Sequence, residues 1–392
     1  MRHIWYVLAV ATLVGCSDNQ DTAAPTNLRA DREPGTPPQY DIATIPMSYG
    51  GAINEEGWVA GFNNLPGNIQ HATFFRDGVV KDLNTLGGPN SEVQWPGLND
   101  HNTVVGFAEE AELSPLGEHW SCSAFFPTIT GHICRGFAWH HGRMIAMPTL
   151  GGDNSFATEI NNHGRVVGWA ETAVHDPTCH APQVLGFRAV VWHLQSGHIH
   201  ELRPLPGDSA SAATAINDRD QVVGISGACD TAVGGISARR AVMWDDGQVI
   251  DIGGLGGTAW NTAMALNNDG VVVGFADSAG DQNGAAPNFH AFRWTRDDGI
   301  KDLKTLSGDV LSEALDINNR GQIVGISIGA TARAFLFEHD TLYNLQDLVP
   351  KNYPNLLQSA QAINDEGQIT GFAIVPGTNQ PVTFIATPSR RR

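Results

Sequence analysis

Eleven of the 15 histidines fall between residues 101 and 200, and Cys122, Cys134, Cys179 and Cys229 lie in the same stretch or just after it. Imidazole and thiolate are zinc ligands, so metal chemistry would be sought in His175-Asp176-Pro177-Thr178-Cys179-His180, with His119 or His132 completing the set. That spacing contains neither a His-Glu-x-x-His helix nor a Cys-x-x-Cys pair. Outside a reducing cytoplasm an even number of cysteines reads instead as disulfides. Cys122–Cys134 is a local closure, and Cys179–Cys229 would tie equivalent loops of adjacent repeats; four cysteines allow three pairings, of which this is the one expected. Asp277 to Gly284 faintly resembles a calcium loop but lacks the glutamate at the twelfth position, and reads as a polar loop. No cofactor or metal is expected.

Other chemistries leave weaker traces. There is no Gly-x-Ser-x-Gly elbow and no Gly-x-x-x-x-Gly-Lys-Ser/Thr phosphate loop. Carboxylates are abundant, but a pair for glycoside hydrolysis is defined by a separation in space. Trp139, Trp192, Trp244 and Trp294 recur at one repeat position and read as core. Trp95, Trp120 and Trp260 fall outside the repeat. With His119, His132, His175 and His180 they are the candidate ligand contacts.

These residues are positioned by a unit written seven times. Its most regular part is Ile/Leu-Asn, three residues, then an apolar triplet ending in glycine: 53–61, 98–106, 160–168, 216–224, 266–274, 317–325 and 363–371. Asparagine opens the turn, and its fourth position holds Gly57, Asn102, Gly164, Asp220, Gly270, Gly321 and Gly367, residue types that tolerate positive φ. This suits a type I turn with a one-residue bulge between strands A and B. A His/Arg-Ala segment ending on an aromatic follows as strand C, then an Asp-Gly turn and strand D, closed in several copies by Leu-Gly-Gly. Four strands in about 50 residues is the size of a propeller blade. The chain opens with a lone D-like strand, Tyr40 to Ile45, and ends on a lone C-like strand, Val382 to Ala386, so the two ends can share one blade. The expected fold is all-β: a seven-bladed β-propeller of four-stranded antiparallel blades, closed by an N-terminal strand completing the last blade. A β-solenoid is the alternative.

Ser-x-Ala, Ile-Asn, Gly-x-Val-Val-Gly, His-Ala-Phe-x-Trp, Asp-Leu and Leu-Gly-Gly together resemble the HAF family of predicted extracellular repeats, over nearly all of residues 40–386. Arg135-Gly136 and Pro381-Val382 depart from the pattern in repeats two and seven. The resemblance implies an extracellular location and no particular activity.

From the glycine taken to end strand B to the His/Arg-Ala motif, the seven repeats count 10, 29, 20, 16, 16, 8 and 10 residues. The B–C and D–A connections of an up-and-down blade share one face, so the long loops crowd one rim, where recognition would sit.

The address is written at the N-terminus. Residues 1–15 read as a signal peptide, and Leu13-Val14-Gly15-Cys16 resembles a lipobox whose Cys16 is diacylated. Ser17 after it resembles lipoproteins sorted to the outer membrane, and several acyl chains would anchor the chain stably. Residues 16–39 form a polar, proline-containing tether, and 40–392 the propeller. With 23 basic against 41 acidic residues, the net charge of −18 argues against nucleic acid as a partner. The combined expectation is a monomeric envelope or cell-surface lipoprotein that binds an envelope or extracellular protein or glycan through its rim loops. A carbohydrate hydrolase or lyase using carboxylates in the central funnel is the alternative.

Overall fold

The computed structural model describes residues 37–118, 120–229, 238–280 and 288–389. Seven four-stranded antiparallel sheets, at 49–82, 87–146, 151–202, 210–253, 262–304, 311–344 and 356–388, form a seven-bladed β-propeller. The seventh is completed from the other end of the chain, Tyr40–Ile45 pairing with Gln380–Pro388 in the register Tyr40↔Pro388 to Ile45↔Thr383. In each blade the strands follow the order A to D, with A against the axis. Strand A is buried throughout its apolar part, as in Tyr49–Ile53, whereas most residues of strand D are exposed or half-buried, as in Val79–Asp82. The departing segments of repeats two and seven are regular C strands, His132–His140 and Gln380–Pro388.

The hydrophobic core is divided among the seven gaps between blades. One cluster fills each gap, such as Ala52, Phe74, Val93, Val104 and Trp139 between blades 1 and 2, and Val191, Leu202, Ile216, Val222 and Trp244 between blades 3 and 4. The repeated tryptophans lie in these gaps, 2–7% exposed. Trp192 and Trp244 also donate their indole N–H to carbonyls of the preceding blade's exit, Pro148 and Arg203.

The repeat's polar letters fasten one blade to the next. In Ser-x-Ala the serine hydroxyl accepts from a strand C amide of the preceding blade, as Ser211 from Ala189 and Ser312 from Ala291, and Ser91 of the variant Ser-Glu-Val does the same from Ala72, at 2.8–3.0 Å. At the other end, the turn asparagine's Oδ1 accepts from amides two and four residues on, Arg219 and Gln221 for Asn217, which closes the turn. Its Nδ2 donates to the backbone carbonyl of the equivalent asparagine of the next blade. That chain runs Asn99, Asn161, Asn217, Asn267, Asn318, Asn364, Asn54 at 2.9–3.2 Å, and Asn54 passes it on to Asn102 Oδ1 at 3.3 Å. The fourth turn position has positive φ in all seven copies, from 60° to 79°.

The glycine after the Val-Val pair has a different cause. Strand A carries a bulge in six blades, between Ala213 and Ala215 for example, which brings a carbonyl of strand A against the glycine. A Cβ on any of the seven would lie 1.8–2.1 Å from that oxygen. These glycines do not end strand B. It runs on to Leu65, Leu113 and His175 in the first three blades, so part of the long B–C segments of blades 2 and 3 is strand rather than loop.

Candidate functional site

Among the described residues two concave features stand out: the rim carrying the B–C loops, and the axis at the opposite, A–B turn face. The rim is built over blades 2 to 4. Cys122–Cys134 closes the blade 2 loop with Cα atoms 6.1 Å apart, and Cys179–Cys229 joins the loops of blades 3 and 4 with Cα atoms 4.7 Å apart, the expected pairing. Glu118, from the blade 2 loop, is buried and accepts from the amides of Val184 and Leu185 at the start of blade 3's strand C, at 2.7 and 2.5 Å. Thr178 bonds Ser209 at 2.7 Å, tying a B–C loop to a D–A connection. The shared-face expectation is therefore met.

Carboxylates also hold this rim from beneath. Glu109 accepts from the amide and side chain of Asn90, and Glu171 does the same for Asn154, at 2.8–3.1 Å. Burial raises both carboxyls above their ordinary range. The second glycine of Leu-Gly-Gly, Gly88 or Gly152, faces these side chains so closely that a Cβ would fall 2.6 Å from that of Glu109 or Glu171.

Beneath the loops, Phe107, Phe156 and Trp169 stack with centroids 3.9 and 4.2 Å apart, and Phe125 and Phe126 of the blade 2 loop cover them. Trp95 lies within this cluster, 9% exposed, edge-on to Phe125, Phe156 and Trp169. It is a core residue because strand A of blade 2 breaks after Glu92 and turns the indole inward. Trp260 is half-buried on the D–A connection to blade 5, against Phe289 at 5.5 Å. His132 is half-buried and donates through Nδ1 to the Glu110 carbonyl at 2.8 Å. His175, the last residue of blade 3's strand B, and His180, on the loop that follows, are exposed. Cys16, His119, the Trp120 side chain and residues 281–287 lie outside the described residues.

A cavity of about 380 Å3 opens on this rim between Thr178, His180, Asp208, Ser209, Ala228 and Arg239, with the Cys179–Cys229 disulfide in its wall. Asp176 approaches both sulfurs, but the disulfide leaves no thiolate for a metal. The candidate residues are thus not one constellation: His180 lines the cavity, while Trp95 and Trp260 sit elsewhere.

The second feature comprises residues not singled out above as candidates. At the A–B turn face a cavity of about 150 Å3 is lined by all seven turns and by Glu55, Asp100, Glu159, Asp218, Asp316 and Asp365. The residue after each turn asparagine donates its amide to the side-chain oxygen of its counterpart in the next blade. This second ring closes through Glu55, Asp100, Asn162, Asp218, Asn268, Asn319 and Asp365 at 2.7–3.1 Å. Within it, Glu159 accepts from the Ile216 amide, and Asp316 from those of Ile317 and Ile363, at 2.8–2.9 Å. Burial pushes Asp316 up to about 7 and raises Glu159 well above its ordinary value with a further contribution from Asp316, whereas partial desolvation and the neighbouring carboxylates of Asp365 and Asp100 push the exposed Glu55 up to about 7. Glu159 and Asp316 replace the small residues Ala52, Gly97, Ala215, Ala265 and Ala362 at one repeat position. That break was the available signal.

No family model and no curated protein matches the chain. Among the described residues, no helix is long and apolar enough to cross a membrane. Among solved structures, an acylaminoacyl peptidase of Pyrococcus horikoshii is similar at 10% identity and TM-score 0.46, over 86% of this chain and 49% of its own. The chain thus spans about half the length of that peptidase. An oligogalacturonate lyase in complex with manganese matches at 9% identity and TM-score 0.47, over 91% of this chain and 97% of its own. The polysaccharide lyase Uly1 matches at 9% identity and TM-score 0.44, over 92% and 94% respectively.

Proposed function

We propose that this chain is an envelope lipoprotein of the HAF type, anchored through Cys16, whose propeller is a binding module for an extracellular or envelope protein or glycan. The observation that supports this reading is the bracing of the rim. Loops from three blades are locked together by Cys179–Cys229 and by Glu118 around a polar cavity, and Leu113, Leu116, Ile129 and Val174 stay 50–68% exposed on the same protruding segments. Rigid loops lose little conformational entropy on binding, and exposed apolar side chains in a polar surround suit recognition.

Arraying the full chain against glycans and envelope fractions tests it. Binding should fall at least tenfold in His180→Ala/Arg239→Ala or in Leu116→Asp/Ile129→Asp. It should be unchanged in Glu55→Gln on the opposite face. Binding indifferent to both rim variants would discard the reading. Detergent-phase partition that is lost in Cys16→Ala tests the anchor.

A second reading, hydrolysis or lysis of a polysaccharide in the axial cavity, is favoured by Glu159 and Asp316 lining one space, with Asp316 near 7 as a general acid would need. No tryptophan lines that cavity as a sugar platform. Turnover of a polysaccharide that disappears in Glu159→Gln would establish it.

A further inference from the structure

Imidazoles also gather away from the rim, at the outer edge of blade 3. Strand C of this blade, Leu185–His193, turns through residues 194–197 into strand D, His198–Leu202. The pairing Ala189↔Leu202, Val191↔His200 and His193↔His198 sets these residues on one face of the sheet. Ala189, Val191 and Leu202 of that face are buried in the core between blades 3 and 4, whereas Trp192 and Ile199 of the alternate face pack toward blade 2. His193, His198 and His200 are thus the outer end of the face turned to blade 4. His193 is half-buried and the other two are exposed.

The His193 and His198 rings face each other with centroids 6.0 Å apart and planes at 85°. Two imidazoles that share a metal through nitrogens at about 2.0 Å hold their centroids about 5–6 Å apart. His200 is the diagonal neighbour of His193, about 7–8 Å away between β-carbons, a gap that long side chains bridge. As placed, the nitrogens of the three do not all lie within 4.8 Å of one another, so the exposed His200 ring turns in to complete the set. Elsewhere the imidazoles of strands C are held: His71 by Asp82, His132 by the Glu110 carbonyl, His140 by Thr103 and His290 by Asp302. No hydrogen bond or ion pair among the described residues ties down the rings of His193, His198 or His200. Arg165, which pairs with His193 across strands B and C, is itself neutralised by Asp220 at 2.5 Å.

The ligand type says which metal. Calcium and magnesium take oxygen ligands, and copper(I) is selected by thiolate or thioether, neither of which this set contains. Imidazole suits nickel, copper(II) and zinc, and of these divalent ions copper(II) binds a given nitrogen site most tightly. The ligands lie on paired strands joined by a four-residue turn, so the backbone that carries them is fixed and only side-chain rotation is needed on binding.

We infer that His193, His198 and His200 form a copper(II) site at the outer edge of blade 3, with water completing the coordination. The inference depends neither on the rim reading nor on the anchor. Titrating the full chain with copper(II) sulfate against a competing chelator at pH 7.5, where imidazole is neutral, tests it, with the electron paramagnetic resonance spectrum recorded at one equivalent and zinc sulfate as the parallel arm. Every protein in the series carries His3→Ala, because an amino-terminal Met-Arg-His is itself a copper chelate.

The tightest copper should bind at one per chain and show hyperfine coupling to imidazole nitrogen. Its affinity should fall at least tenfold in His193→Ala and in His198→Ala, and at least threefold in His200→Ala. It should be unchanged in His140→Ala/His141→Ala, at the corresponding hairpin of blade 2, and in the rim variant His180→Ala/Arg239→Ala. Zinc should bind more weakly and be lost in the same variants. A spectrum without nitrogen coupling, or affinity untouched by His198→Ala, would overturn the assignment. So would a loss confined to the blade 2 or the rim variant, which would move the site there, and zinc binding more tightly than copper would overturn the choice of metal.

Discussion

At the scale of single residues, the repeated asparagine performs two functions with two different atoms. Its Oδ1 closes the turn within the blade and its Nδ2 reaches the next blade. An aspartate would supply the first function and reverse the second, setting a carboxylate oxygen against the Asn267 carbonyl. With the bond from Nδ2 to Gln221 Oε1 the side chain makes four, and at about 1 kcal/mol each they put Asn217→Ala at about 3–5 kcal/mol of lost stability. Asn217→Asp should cost as much or more, although asparagine and aspartate are near-equivalent in isolated turns of this kind. Urea denaturation of the two variants decides it; an aspartate variant close to wild type would mean that the link between blades is idle. Gly224→Ala should be worse than either, because its Cβ would sit 2.0 Å from the Ala212 oxygen and both strands are packed on either side.

At the scale of elements, the two disulfides differ in what they restrain. Cys179–Cys229 spans 50 residues and Cys122–Cys134 spans 12, which on the chain-entropy model corresponds to about 4 and about 3 kcal/mol. Paired serine substitutions should lower the denaturation midpoint more for the first bridge than for the second. The closing strand is tested differently. Without Tyr40–Ile45, strand Gln380–Pro388 becomes an open edge, and such a deletion should associate in a concentration-dependent way under light scattering. This closure was legible in the sequence because a D-like segment with no A, B or C before it has only one place to go. The turn grammar was legible for the same reason: type and φ tolerance are local. What escaped was set by distance along the chain. Nothing near Asn217 announces the Asn267 carbonyl 50 residues on. Trp95 resembled a rim residue because it interrupts the repeat, whereas the interruption is what tucks it into the core. Strand B overran its glycine because that glycine answers to strand A's bulge and not to a turn.

At the scale of the whole molecule, the acidic axis gives stability a pH dependence of definite sign. Desolvation pushes Glu313 and Asp316 up to about 7 and raises Glu92 and Glu159 well above the ordinary carboxylate range, and partial desolvation with neighbouring carboxylates brings the exposed Glu55 to about 7 as well. Between about pH 4.5 and 7 the folded chain therefore holds protons that the unfolded chain has released, and the stability linked to them is lost as pH rises through that window. Asp298 and Asp302 are shifted the other way, by Lys301 beside Asp298 and by Lys304 and His290 beside Asp302. Their contribution is present above the usual carboxylate range and disappears only in stronger acid, so it leaves this window untouched. The melting temperature should fall by several degrees from pH 5 to pH 8. Glu313→Gln, which removes a buried charge whose shift comes from desolvation alone, should raise the melting temperature at pH 8 and leave it unchanged at pH 5. Scanning both proteins by differential scanning fluorimetry at the two pH values measures this directly. A profile that rises from pH 5 to pH 8, or a glutamine variant that gains equally at both, would show that the axial carboxylates are not the groups that set it.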